Sequence, residues 1–299
     1  MKDMNTIKKI GSIVGLVLIS GTLIHSVAYT EPKSNTEIGG RYYPTSIDFA
    51  GEKTPLHLAD VKERFDRELI VNANLHGSMI IITKRANREF PIIEPILKKY
   101  GVPDDFKYLA VAESALVNAT SSVGAKGFWQ FMPATAKEYG MEVTDEVDER
   151  YHLIKSTEAA CKYLVNAKEK MGSWTLAAAS YNGGLAGVNR QITSQGETNY
   201  YDLLLTEETY RYVFRILALK EIMKNPVMYG FTYTKDELYS GIPTKKVEID
   251  SSITDLAAFA KQQGINYKIL KIHNPWLRDK KLTNTSGKKY VIEIPTSGY

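Results

Sequence analysis

Between residues 60 and 225 the apolar positions recur mainly at helical spacing. Val61, Phe65, Leu69 and Ile70, with charges between them, predict one or two helices over residues 60–85. Pro91 predicts a break, after which Ile92, Ile93, Ile96 and Leu97 start another helix ending near Gly101. Pro103-Asp104-Asp105 is a start signal, because proline suits the first turn and acids suit the positive helix end. Further helices are expected at 133–139 behind Pro133, at 157–171 behind a Ser156 cap, and from Trp174 to Tyr181. A last long one spans roughly Glu207–Lys224, before Pro226. Strand-like alternation is nearly absent before residue 230, so residues 51–230 read as one all-helical domain.

Beyond Tyr229-Gly230 the texture changes. Lys245–Ile249 alternates as a strand, Ile253–Ala260 reads as a capped helix and a second helix follows from Asn266. Tyr290–Pro295 alternates again as a closing strand. Residues 231–299 thus form a small α+β module in strand–helix–helix–strand order, and the whole chain is mainly α. A unit this small either leans on a neighbour or serves as a binding module.

The other end of the chain bears on location. Lys2, Lys8 and Lys9 precede an apolar run from Ile10 to Ile24, then Ser26-Val27-Ala28. This is the layout of a secretory signal over residues 1–28, with Ser26 and Ala28 placed as a cleavage site needs. Gly11, Gly15 and Gly21 weaken the run as a permanent span, yet its length leaves membrane attachment through residues 10–28 open. The expectation is export to the periplasm or cell envelope, with cleavage favoured over anchoring. Residues 29–50, rich in Pro, Gly, Ser and Thr, read as a linker.

Charge and cysteine usage narrow the chemistry. The formal charge is +4, of which residues 1–28 contribute three lysines against one aspartate. The remaining +2 shows no concentrated basic face, which argues against a nucleic-acid partner. A single cysteine, Cys161, rules out an intramolecular disulfide, and the scattered histidines lack metal-ligand spacing. No metal and no cofactor is expected.

One residue does not fit the helical pattern. Phe106, Leu109, Glu113 and Leu116 fall at spacings of three, four and three and share one face, so Glu113 takes an apolar slot. Burial favours the neutral carboxyl, and an acid held neutral near pH 7 can protonate a glycosidic oxygen. A Glu on a slightly rotated helix, or one paired with a cation such as Arg150, reads the same way in sequence. Downstream, Ser121–Gly127 is a small-residue loop that lets backbone approach a ligand closely. Phe128–Pro133 then joins aromatic surface to the amide of Gln130, the pairing that stacks on sugars and bonds their acetamido groups. Tyr181-Asn182-Gly183-Gly184 ends an Ala-rich helix, with Asn182-Gly183 also readable as a C-cap.

In this order, the motifs resemble the lytic transglycosylases with a lysozyme-like catalytic domain. They are Glu113-Ser114, Gly124–Pro133 with Ala134-Thr135-Ala136, Val147–Arg150, Ser156–Ala160, Ala177–Asn182 and Glu208-Thr209 with Tyr212-Val213. They cover roughly residues 90–225 and look most like the membrane-bound D-type branch. The C-terminal module resembles a lysin motif through "LAAFAKQQGINYKILKIHNPWL" and "YVIEIP". It lacks the usual Gly-Asp-Thr start, and Asn274, Pro275 and Trp276 are candidates for glycan contact, with packing on the catalytic body as the alternative.

The resemblance implies a helical lysozyme-like fold and peptidoglycan glycan strands as the partner. It implies Glu113 as sole acid and base, with Ser121, Gln130, Met132, Tyr181 and Asn182 shaping the sugar sites and Glu208 and Tyr212 lining the groove. It further implies non-hydrolytic cleavage of the β-1,4 bond between N-acetylmuramic acid and N-acetylglucosamine, giving 1,6-anhydromuramoyl products. A hydrolytic muramidase is the enzymatic alternative and would use a second carboxylate. A catalytically idle peptidoglycan-binding protein is the other. The sequence departs from the family after Glu113, where Ser-Ala-Leu-Val-Asn replaces an Asn-Pro pair, and after Asn182, where Gly-Pro is absent.

Overall fold

The computed structural model describes residues 42–299, so the expected signal segment and most of the expected linker lie outside the described residues. The described chain opens with a small hairpin, β1 (Asp48–Phe49) and β2 (Glu52–Lys53), followed by α1 (Ala59–Asn74), α2 (His76–Lys99) and α3 (Lys107–Ser114). Next come α4 (Pro133–Glu138), α5 (Leu153–Met171), α6 (Trp174–Gly183), α7 (Leu185–Gln195) and α8 (Glu207–Lys224). The C-terminal module consists of β3 (Thr244–Ile249), α9 (Leu256–Gln262), α10 (Tyr267–His273) and β4 (Tyr290–Pro295). The chain is mainly α, with a helical domain followed by a small α+β module. Among the described residues no helix is long and apolar enough to cross a membrane.

α8 is the axis of the helical domain, packing against α1, α3 and α6. Its Val213, Phe214, Ile216, Leu217 and Ala218 are fully buried. α6 reaches that axis because Ala177, Ala178 and Ala179 carry little side-chain volume and lie fully buried. The N-terminal hairpin contributes to this core. Phe49 is fully buried against Phe106 and belongs to the same cluster, although residues 29–50 read as linker in sequence. The Glu52 carboxylate accepts from the N–H groups of Trp174 and Thr175 at 2.7 and 2.8 Å, supplying the first turn of α6 with an anionic partner. The buried Lys220 ammonium donates to the Asp48 carbonyl and to Asp105 Oδ2, both at 2.6 Å. Those bonds fix the start of the segment carrying α3 against α8.

Several boundaries differ from expectation for identifiable reasons. α2 runs through Pro91 and Pro95 without ending. The two prolines are four residues apart, so they share one face, and both are exposed, leaving the carbonyls they free within reach of water. α5 starts at Leu153, so Ser156 is inside it and its hydroxyl bonds the His152 carbonyl at 2.9 Å. α7 occupies a stretch where no helix was expected, because Gly184 takes φ +74° and lets the chain restart at once.

In the module, β3 and β4 pair antiparallel from Thr244↔Pro295 to Ile249↔Tyr290. Asp255 caps α9 and Asn266 caps α10 through side-chain oxygens that accept first-turn N–H groups. Its core of Leu256, Leu270, Leu282, Ile292 and Ile294 is closed by Val147 and Tyr151 from the helical domain. Asn274 and Trp276 lie in that packed region. Asn274 is fully buried and bonded to Leu270 and Glu293 backbone, and Trp276 stacks between His152 and Tyr290. Their side chains are used in packing, which is the alternative the sequence had left open.

Candidate active site

Glu113 is the penultimate residue of α3, and the helix stops there for a local reason. Ala115 and Leu116 follow with φ of +52° and +57°, a left-handed pair without glycine. Such conformations cost roughly 1–2 kcal/mol each and persist only where surroundings impose them. Here Leu116 is fully buried and the Arg85 guanidinium holds the Ala115 carbonyl at 3.1 Å. Leu116 therefore reaches the core from beyond the helix end, not from the helical stripe on which sequence spacing placed it.

The partly buried Glu113 side chain faces α8, where the buried Tyr212 hydroxyl donates to its Oε1. Burial pushes the Glu113 carboxyl up to about 7, while Tyr212 and the more distant Arg215 pull it down and Glu208 pushes it up. Its place at the negative end of α3 also disfavours the anion. Burial and the neighbouring carboxylate hold the Tyr212 phenol well above the ordinary range, so it stays a donor. Arg215 is occupied elsewhere, pairing with Glu208 at 3.0 Å and approaching Glu68 at 3.7 Å.

Tyr181 stands near the same carboxylate, whose charge adds to burial in raising its phenol. Its hydroxyl donates to the Trp129 carbonyl at 2.7 Å, and its ring meets Phe131 edge-on at 5.9 Å. This ties the end of α6 to the loop after α3. In that loop Lys126 and Phe131 exchange backbone hydrogen bonds at 3.1 Å, making a tight return. Gly127 is at its crossing point with φ +84°, and a Cβ there would lie 1.8 Å from the Arg150 carbonyl oxygen. Only glycine fits.

Each of the remaining expected residues has a defined place. Ser121 closes its own loop, its hydroxyl accepting from the Ala125 N–H at 2.9 Å. Gln130 has φ +48°, and its amide nitrogen donates to the Ala119 and Gly127 carbonyls at 3.1 and 2.8 Å. Both of its N–H bonds therefore hold the loop, leaving Oε1 as the atom free to meet a ligand. Met132 is exposed at the start of α4. Asn182 is inside α6, not at a cap, and its Oδ1 accepts from the Thr209 hydroxyl at 2.8 Å. Glu208 is exposed on α8 and turned to Arg215.

Two contributors were read in sequence as motif members, without the bonds they make. Thr209 positions Asn182 from 27 residues away, and no local pattern announces such a bond. Arg150 appeared there within the Val147–Arg150 motif and as a cation that could pair Glu113. In the structure its guanidinium pairs with Asp148 and donates to the Gly124 and Phe131 carbonyls at 3.1 and 3.2 Å. Its place within Asp148-Glu149-Arg150, beside small-residue loops with free carbonyls, was the available signal. Among the described residues no group of His, Cys, Asp or Glu is arranged to hold a metal ion.

The arrangement is a single carboxyl poised near neutrality, with a phenol donor and a strained aromatic loop beside it. Comparison with known proteins bears on the chain that carries it. Residues 90–204 match the Transglycosylase SLT domain, and residues 245–298 match the Soluble lytic transglycosylase C-terminal LysM-like domain. Membrane-bound lytic murein transglycosylase D of Escherichia coli (strain K12) is 30% identical over 254 residues, covering 82% of this chain and 54% of that protein. A putative tributyltin chloride resistance protein of Alteromonas sp. (strain M-1) is 29% identical over 130 residues, covering 41% of this chain and 63% of that one. The chain spans about half the length of the lytic murein transglycosylase it matches. It carries a transglycosylase SLT domain followed by a LysM-like domain of the soluble lytic transglycosylase type, and is homologous over most of its length to membrane-bound lytic murein transglycosylase D.

Proposed function

We propose that the chain is a peptidoglycan lytic transglycosylase of the cell envelope. It cleaves the β-1,4 bond between N-acetylmuramic acid and N-acetylglucosamine and leaves a 1,6-anhydromuramoyl end. Glu113 protonates the glycosidic oxygen as the C1–O bond breaks. The same carboxylate then takes the proton of the muramoyl C6 hydroxyl as that oxygen closes onto C1. Proton, bond and charge all return to balance without water entering.

The observation that carries this reading is the isolation of Glu113. It is held near pH 7 by burial, with a phenol as its hydrogen-bond partner and, among the described residues, no cation paired to it. A group with a pKa near the working pH gives and regains a proton with little penalty in either direction. The carboxylates that hydrolysis could recruit are engaged: Asp148 with Arg150, Glu149 with the Glu142 N–H, and Glu208 with Arg215. Ser121, Gln130, Met132, Tyr181 and Asn182 are assigned to the sugar sites, with Glu208 and Tyr212 along the groove. The exported location rests on residues 1–28 and on the envelope protein the chain resembles.

Digestion of purified peptidoglycan, followed by mass spectrometry of the soluble products, tests the reading. Anhydromuropeptides are expected, lighter by one water than hydrolytic products. Reducing-end muropeptides in their place would make the protein a muramidase.

A further inference from the structure

The C-terminal module reaches the candidate active site through one continuous set of bonds. Its Trp276 carbonyl accepts from the Asp148 N–H at 2.9 Å, and its Arg278 N–H donates to the Glu146 carbonyl at 2.8 Å. Residues 146–148 thus form an extra edge on the module, and Val147 is fixed in the module's own core. The Asp148 carboxylate then grips Arg150 with two bonds, Nε to Oδ1 at 2.9 Å and Nη2 to Oδ2 at 2.7 Å. Both side chains are buried. The remaining guanidinium nitrogen donates to the Gly124 and Phe131 carbonyls, at the two ends of the loop carrying Gln130. The Arg150 carbonyl oxygen fills the space that only Gly127 leaves open.

The charges around Arg150 exclude a simpler role. Asp148 alone neutralises it, and Lys126 approaches that carboxylate only to 3.8 Å. A buried ion pair by itself is weak evidence for stability, so its value here is sought in what the guanidinium holds. A planar fork can bond a carboxylate on one edge and two carbonyls on another, whereas an ammonium is a point donor.

From this we infer that Arg150 is a positioning residue for the glycan-cleaving site, and that the C-terminal module acts on turnover through it. The module is a strut under the loop, in addition to any glycan it binds. The inference rests on the proposed transglycosylase reading for its effect on turnover, but the mechanical link stands apart from that reading.

The test uses the full chain with Arg150→Lys, Val147→Ala and the double variant. Val147→Ala loosens the module's hold while leaving Asp148 and Arg150 intact, and it trims only two methyl groups. Arg150→Lys is expected to lower turnover of peptidoglycan by roughly 10- to 100-fold, the scale on which partners that orient a catalytic group act. Val147→Ala is expected to lower it about threefold, and the double variant to be no slower than Arg150→Lys alone, since both act on one linkage. Independent, multiplying effects would overturn the inference. Hydrogen exchange supplies the readout that needs no activity. Loop amides at residues 124–131 should exchange faster in both single variants, while amides of α8 keep their protection. Unchanged loop exchange would refute the strut even if the protein proved inactive on peptidoglycan. Faster loop exchange in the variants, with a wild type that proved inactive on peptidoglycan, would instead sustain the strut and sink the transglycosylase reading.

Discussion

Glu68 and Glu113 are both removed from water against the same helix, α8, and are treated in opposite ways. Glu68 is almost fully buried and faces two guanidinium groups, Arg211 at 2.6 Å and Arg215 at 3.7 Å. Glu113 meets a phenol from the intervening Tyr212. The first arrangement offsets a buried charge and serves the fold. The second leaves the charge unpaired, so burial works on the carboxyl itself and brings it to about 7. Partner identity on one helix separates a structural acid from the acid proposed as proton carrier.

Exchanging carboxylate for amide breaks the comparison most sharply. Glu113→Gln should lower glycan cleavage by at least about 10²-fold, because among the described residues Asp148, Glu149 and Glu208 are each engaged by another partner. A turbidity assay that still clears cell-wall suspensions at the wild-type rate would remove Glu113 from the mechanism. Glu68→Gln should leave the Arg211 guanidinium without its carboxylate, with Arg215 kept by Glu208 alone, and cost about 3 kcal/mol in urea unfolding. A change under about 1 kcal/mol would mean the guanidinium groups are already satisfied by water.

The two variants should also part company in their pH dependence. A raised carboxyl contributes its stability below the ordinary carboxyl range, and that contribution is lost as pH rises through about 7. Glu113→Gln cannot ionise, so it should match the wild type near pH 4 and exceed it near pH 9 by up to about 3 kcal/mol. Thermal melts across that range would show the gap opening, and parallel curves would contradict the raised acid.

Smaller effects come from the groups that tune Glu113. The Tyr212 bond lowers its pKa, so Tyr212→Phe should move the alkaline fall of the rate profile to higher pH and reduce turnover roughly tenfold. Glu208→Gln should shift the same limb the other way, and by less, since Glu208 is the smallest of the four influences on Glu113. Profiles of both variants superimposing on the wild type would separate the limb from Glu113 altogether.

How far these features were legible depends on whether their causes were local. α8 was read end to end because its apolar positions and Pro226 lie in one continuous stretch. The module's strands and caps were legible for the same reason, with period-two alternation and Asp and Asn before each helix. α2 was misread at Pro91 because exposure, not sequence, decides whether a helix tolerates proline. Glu113 stood out as a charge in an apolar slot, although Leu116, which helped define the stripe, lies past the helix end. Gln130 was singled out as an amide for sugar acetamido groups, and both N–H bonds of that amide go to backbone carbonyls of its own loop. Tyr212 and Glu113, 99 residues apart, met through the family resemblance, not through any pattern of spacing.

The grip on the loop from Gly124 to Phe131 is made almost entirely to main-chain atoms: the carbonyls of Gly124 and Phe131, the bare Cα of Gly127 and the carbonyl of Trp129. The exposed side chains of Val123 and Met132 take no part in those bonds. Substrate preference can therefore drift by point substitution while the loop keeps its shape, so a designer could vary what the loop touches without redrawing it.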